Sequence, residues 1–83
     1  MIEVYTRPSC PRCVEMKGLL RKRGIEFVEC VLDFDVPTSE VKTKFPGIGS
    51  LPILSVGGHA IGGLEELENL IERDQLKYLL PPF

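Results

Sequence analysis

Cys10-Pro11-Arg12-Cys13 stands at the point where a short strand-like segment, Ile2-Glu3-Val4-Tyr5, has been stopped by Pro8 and a helix begins near Pro11. Proline is tolerated in the first helical turn because the N–H it lacks would have no intrahelical partner there. The two thiols are therefore tied to a strand-to-helix handover. At this spacing they can share a disulfide without moving the backbone far. The unpaired N–H groups of the first turn also stabilise a thiolate on the first of them. In a β-α-β context such a pair reads as a redox motif.

The residues that follow supply that context. Helix one runs from Pro11 to about Arg23, and Gly24 ends it. Cys13, Met16, Leu19 and Leu20 recur at three- and four-residue steps, so Cys13 heads a buried stripe while Cys10 occupies the exposed tip. Gly18, inside that helix, costs about 1 kcal/mol relative to alanine, and close helix–sheet packing is the expected reason for it. Glu26 to Leu32 reads as strand two, and a strand-helix-strand unit of this length favours a parallel pair. Asp33 to Thr38 is a polar link. Thr38 or Ser39 is expected to cap a short second helix through Phe45, which Pro46 and Gly47 end. Ile53 to Val56 forms strand three, Gly57-Gly58 a two-residue turn, and His59-Ala60-Ile61 an antiparallel strand four. Leu64, Leu67, Leu70 and Ile71 trace an amphipathic third helix, with Glu65 and Glu66 in the first turn where the helix dipole favours acids. The apolar tail, Gln75 to Phe83, is expected to pack back as a helical turn or an extended lid. This order predicts one α/β domain over residues 1–83. It has a thioredoxin-like layout, a four-stranded mixed sheet flanked by three or four helices.

Charge is distributed unevenly. Residues 1–25 carry six basic and two acidic side chains, whereas residues 26–83 carry four basic and ten acidic ones. The positive end is the end with the cysteines, and such a field favours both a thiolate and a small anionic thiol. Arg21, Lys22 and Arg23 are accounted for by the helix C-terminus, which attracts cations; Arg7 and Arg12, flanking the thiols, are read as functional. The net charge of −2 argues against nucleic-acid binding. No apolar run approaches the ~20 residues that span a bilayer, so no membrane association is expected. The strand-like start leaves no visible signal peptide, which gives a cytoplasmic location as the expectation. Three cysteines are too few and too oddly numbered for a disulfide framework. Cys30, mid-strand among apolar residues, reads as inert core, as do Tyr5 and Phe27; His59 reads as a solvated strand end.

Three motifs, in this order and spacing, make the whole chain resemble a small dithiol glutaredoxin. They are Cys10-Pro11-Arg12-Cys13 after Thr6-Arg7-Pro8-Ser9, then Ser50-Leu51-Pro52, similar to the family's Thr-Val-Pro with its cis proline, and Gly62-Gly63-Leu64-Glu65-Glu66, similar to its Gly-Gly-x-Asp-Asp. The resemblance implies a glutathione-dependent thiol–disulfide oxidoreductase acting as a monomer on disulfide-bonded or glutathionylated proteins. Cys10 would be the nucleophile and Cys13 the resolving thiol. Arg7 would meet a glutathione carboxylate, and Lys44, in preference to Lys42, the other. Leu51, beside Pro52, would pair its backbone with the cysteinyl unit. Gly63, Leu64 and Glu65 would hold the γ-glutamyl end, and Arg12 would add a positive charge to the site. A potential of about −200 to −230 mV is typical of such proteins. The physical basis is that glutathione is an extended tripeptide with two carboxylates and one amine, which a sheet edge, a helix N-terminus and cations can each engage.

Arg12 departs from the family's aromatic residue between the cysteines, Leu51 from its valine, and Glu65-Glu66 from its shorter aspartates. Some glutaredoxin-like reductases instead serve ribonucleotide reductase and are reduced by thioredoxin reductase without glutathione. Arg7 and the Gly-Gly-x-acid motif favour glutathione. Two other classes compete. Cys10, Cys13, Cys30 and His59 would offer four zinc ligands, but structural zinc sites pair two local clusters and this chain has one, so no metal is expected. An iron–sulfur cluster bridging two copies is disfavoured in the family by a proline at the position of Pro11. A redox-sensing adaptor is the remaining alternative.

Overall fold

Alternation along the first strand builds the two sides of the molecule. In the computed structural model, which describes residues 2–75, Ile2 and Val4 enter one core cluster and Tyr5 the other. The elements are β1 (Ile2–Thr6), α1 (Pro11–Lys22), β2 (Val28–Val31), α2 (Thr38–Lys44), β3 (Ile53–Val56), β4 (His59–Gly62) and α3 (Leu64–Glu72). The sheet runs β2-β1-β3-β4, with β1–β2 parallel and the other two pairs antiparallel. Helices α1 and α3 cover one face, where Met16, Leu20, Leu64 and Leu67 close on Val4 and Leu54. Helix α2 covers the other, where Val41 and Phe45 close on Tyr5 and Ile53, and the Tyr5 and Phe45 rings meet edge to face at 5.2 Å. The thioredoxin-like layout follows, with three helices among the described residues. The expectation of a tail packed back as a turn or lid falls mostly on residues 76–83, outside the described range.

Several boundaries differ from the sequence expectation. Strand β2 is limited to Val28–Val31. Asp33 adopts a left-handed conformation (φ 66°), and the Asp35 carboxylate accepts the Val31 N–H at 2.9 Å; together they turn the chain out of the ladder. Leu32 still donates its N–H to the Thr6 carbonyl at 2.8 Å, and beyond that forms an isolated bridge to Val36. Helix α2 is not capped by Thr38 or Ser39. Thr38 is its first residue, and the Asp33 carboxylate accepts both the Thr38 N–H (3.0 Å) and its hydroxyl (2.9 Å). Those two bonds hold the Asp33 carboxyl below its ordinary range. Helix α1 ends as expected, Gly24 turning left-handed (φ 69°) while the Ile25 N–H reaches back to the Leu20 carbonyl at 3.0 Å.

Gly18 corrects a further expectation. It faces solvent, and a Cβ built there would meet no atom within 4 Å, so no close helix–sheet contact explains it. Gly18→Ala should therefore recover the propensity cost and raise stability by about 0.5–1 kcal/mol. Thermal denaturation should show a gain of roughly 3–6 °C.

Candidate active site

Ser9 turns the chain into α1 through a left-handed conformation (φ 57°), an uncommon one for a residue with a side chain. This turn brings Cys10 to the N-cap of the helix with extended backbone angles (φ −114°, ψ 102°). Its sulfur accepts the Cys13 N–H at 3.2 Å, so a sulfur performs the task that serine or aspartate oxygens perform at other helix starts. Cys10 and Cys13 are joined in a disulfide, with Cα atoms 5.2 Å apart. The two sulfurs differ in access. Cys13 is 1% exposed and heads the buried stripe of Met16 and Leu20, while Cys10 is partly open to solvent.

Two grooves adjoin the loop that carries this pair. One, of about 420 Å³, is lined by Thr6, Arg7, Pro8, both cysteines and Val14, with Lys17 and Glu29 at its side. The other, of about 270 Å³, runs from Arg12 past Ser50, Leu51 and Pro52 to Gly63, Leu64 and Glu65. The Leu51–Pro52 bond is cis. The predicted site residues are thus divided. Arg12, Leu51, Pro52, Gly63, Leu64 and Glu65 share one groove, and Arg7 lies in the other. Arg7 is exposed and without a hydrogen-bond or ion-pair partner among the described residues. Lys44 lines neither groove. Its ammonium donates to the Tyr5 hydroxyl at 3.1 Å on the α2 side of the sheet, and that bond raises its pKa.

The second groove ends at the start of α3. Glu66 reaches back to accept the Gly63 N–H at 2.6 Å, half of a capping box. Glu65, one residue earlier, instead forms an ion pair with Arg12. The Arg12 hydrogen bond holds the Glu65 carboxyl below its ordinary range and raises the Arg12 guanidinium in turn. Arg12 thus leaves the dithiol loop and crosses to α3.

Sequence reasoning missed a polar cluster at the side of the first groove. Glu29, opposite Val4 in the β1–β2 register, accepts the Lys17 ammonium at 2.8 Å and the Thr6 hydroxyl at 2.7 Å. One available signal was spacing, since Lys17 follows Cys13 by one helical turn; the other was an acid in the middle of a strand under that helix. The Lys17 bond is the main cause of the lowered Glu29 pKa. A carboxylate with a depressed folded-state pKa stabilises the fold above its unfolded value and ceases to do so as pH falls through the folded value. Glu29→Gln should cost about 1 kcal/mol at pH 7. The difference from the parent should shrink as pH falls below the ordinary glutamate range and through the lowered folded-state value, as urea titrations across pH will report.

The four residues of the zinc alternative are not brought together. Cys30 pairs in register with Tyr5 and packs on the α2 face, whereas α1, which carries Cys13, covers the opposite face. His59 is exposed at the start of β4. Among the described residues, no group of three or more histidine, cysteine, aspartate or glutamate side chains is placed to hold a metal ion.

Comparison with known proteins places this geometry. The family model described as Glutaredoxin matches residues 2–61. Glutaredoxin 3 of Escherichia coli is 33% identical over 79 residues, covering 95% of each chain. Hybrid peroxiredoxin hyPrx5 of Haemophilus influenzae is 36% identical over 67 residues; these are 81% of this chain and only 27% of that protein's length. Among solved structures, a buckwheat glutaredoxin–glutathione complex superposes with a TM-score of 0.75 at 19% identity, over 95% of this chain and 74% of that one. At that identity the likeness concerns the fold.

Proposed function

The chain belongs to the glutaredoxin family and is a dithiol thiol–disulfide oxidoreductase, and we propose that it uses glutathione to reduce protein–glutathione mixed disulfides and protein disulfides. The observation that carries this reading is the position of Cys10. A partly accessible sulfur caps a helix and lines a groove, its partner sulfur is almost wholly buried, and Arg12 between them lines a second groove. The buckwheat relative bound to glutathione supports the same choice of thiol.

In the reductive half-cycle the Cys10 thiolate attacks the glutathionyl sulfur of a mixed disulfide. A Cys10–glutathione disulfide forms, the protein–glutathione bond breaks, and the protein thiolate leaves and takes a proton. A second glutathione thiolate then attacks the bound glutathionyl sulfur. Oxidised glutathione departs and Cys10 is restored as thiolate. With a protein disulfide, Cys10 first captures one protein sulfur. Cys13, after losing its proton, displaces it, leaving the Cys10–Cys13 disulfide. Two glutathione molecules reduce that pair and depart as one glutathione disulfide. During capture, the groove holding Leu51, Gly63, Leu64 and Glu65 takes the tripeptide, Glu65 accepting from its ammonium, and Arg7, in the groove that holds the cysteines, meets a carboxylate. The ordered elements on each side favour a bound tail fixed in one pose, which aligns the three sulfurs for exchange.

The test compares two reducing systems, glutathione with glutathione reductase, and thioredoxin reductase alone. Turnover of a glutathionylated peptide with the first and none with the second is the expected result. Reduction by thioredoxin reductase without glutathione would overturn the choice of reductant.

A further inference from the structure

We propose that Arg12 is a specificity-determining residue, and that its ion pair with Glu65 selects substrates ending in a zwitterion, a carboxylate and an ammonium on one carbon. The inference rests on the glutathione reading above and concerns how that groove chooses its ligand.

Three charged side chains line the groove on the Leu51 side: Arg12, Glu65 and Glu66. Glu66 is committed to the Gly63 N–H at 2.6 Å. The charges left for a ligand are therefore Arg12 and Glu65, and these already satisfy each other. They come from elements 53 residues apart in sequence, one from between the two cysteines and one from the first turn of α3. A tail attached to Cys10 that takes either charge as its partner parts them. A ligand carrying only an ammonium engages Glu65 and leaves the guanidinium without its partner; a ligand carrying only a carboxylate does the reverse. A ligand carrying both replaces each half of the pair at once, so neither charge is stranded as the bound tail displaces water. The γ-glutamyl end of glutathione has this character. Both side chains are more than half exposed, at 53% and 60%, so the pair is weakly held and exchanges readily.

The experiment measures KM for three disulfides of one peptide. The peptide is joined to glutathione, to 4-aminobutanoyl-Cys-Gly, which lacks the carboxylate, or to 4-carboxybutanoyl-Cys-Gly, which lacks the ammonium. The parent protein should show a KM for each analogue roughly tenfold above that for glutathione, the size of one charge-assisted hydrogen bond. In Arg12→Gln the penalty on the carboxylate-free analogue should vanish; in Glu65→Gln the penalty on the ammonium-free analogue should vanish. This exchange of preferences supports the proposal. If the three KM values keep their ratios in both variants while glutathione still turns over, the proposal alone is overturned. The same holds if Arg12→Gln lowers all three equally, which would make Arg12 a simple obstruction. Failure of the parent to turn over the glutathione disulfide overturns both this inference and the glutathione reading.

Discussion

Cys10→Ser is expected to abolish reduction of both mixed disulfides and protein disulfides. Removal of the attacking atom leaves in either groove only the Cys13 sulfur, 1% exposed and out of a substrate's reach, and the loss should reach three or more orders of magnitude, on the order of what deleting a nucleophile costs elsewhere. The fold should survive. The Cys10 sulfur caps α1 by accepting the Cys13 N–H, and a serine oxygen is a favoured acceptor at that position. Circular dichroism and melting close to the parent, with activity at background, would separate chemistry from unfolding. Cys13→Ser should behave differently, keeping the mixed-disulfide reaction, which needs one protein sulfur, and losing dithiol turnover, which needs two. In the reduced protein, iodoacetamide at mildly acidic pH should label Cys10 before the buried Cys13. Retained activity in Cys10→Ser would falsify the assignment of the nucleophile.

Gly62→Ala should be the most damaging single methyl addition at the site, lowering stability by about 2–3 kcal/mol. Gly62 holds φ at 145°, a region that side chains rarely enter. A Cβ there would lie 2.8 Å from the Glu66 Cβ and 2.7 Å from its Oε1. The Glu66 Cβ is fixed by the helix backbone and cannot swing aside, so the start of α3 must move. Its movement would break the bond from the Gly63 N–H to Glu66 and shift Glu65 away from Arg12. A raised KM for the glutathionylated peptide should accompany the lower urea midpoint. A Gly62→Ala protein with the parent's midpoint would show that α3 is not positioned by this glycine.

Most of the architecture was legible because it rests on local pattern. The alternation of Ile2 to Tyr5, the stripe through Cys13, Met16 and Leu20, the Gly57-Gly58 turn and the Leu64–Leu67 face each declare an element within a few residues. What escaped depends on chain segments meeting at a distance. Asp33 caps α2 from five residues upstream only because its own backbone turns left-handed. Glu29 finds Lys17 through the β1–β2 register and the tilt of α1 above it. Arg12 was recognisable as a departure between the cysteines, but its partner Glu65 was not, since pairing across 53 residues is set by how α3 docks. That Arg7 lines one groove and Leu51 and Glu65 the other is likewise a matter of packing.

Cys30 lies on the far side of the sheet from the helix that carries Cys13. Three thiols allow three internal pairings, and the sheet acts as a partition that admits one. Both scrambled isomers are closed to the folded chain. Burial and neighbouring acids also raise the Cys30 pKa, which keeps the odd sulfur in its less nucleophilic, protonated form. The catalyst can be oxidised and reset repeatedly without losing its way among its own cysteines.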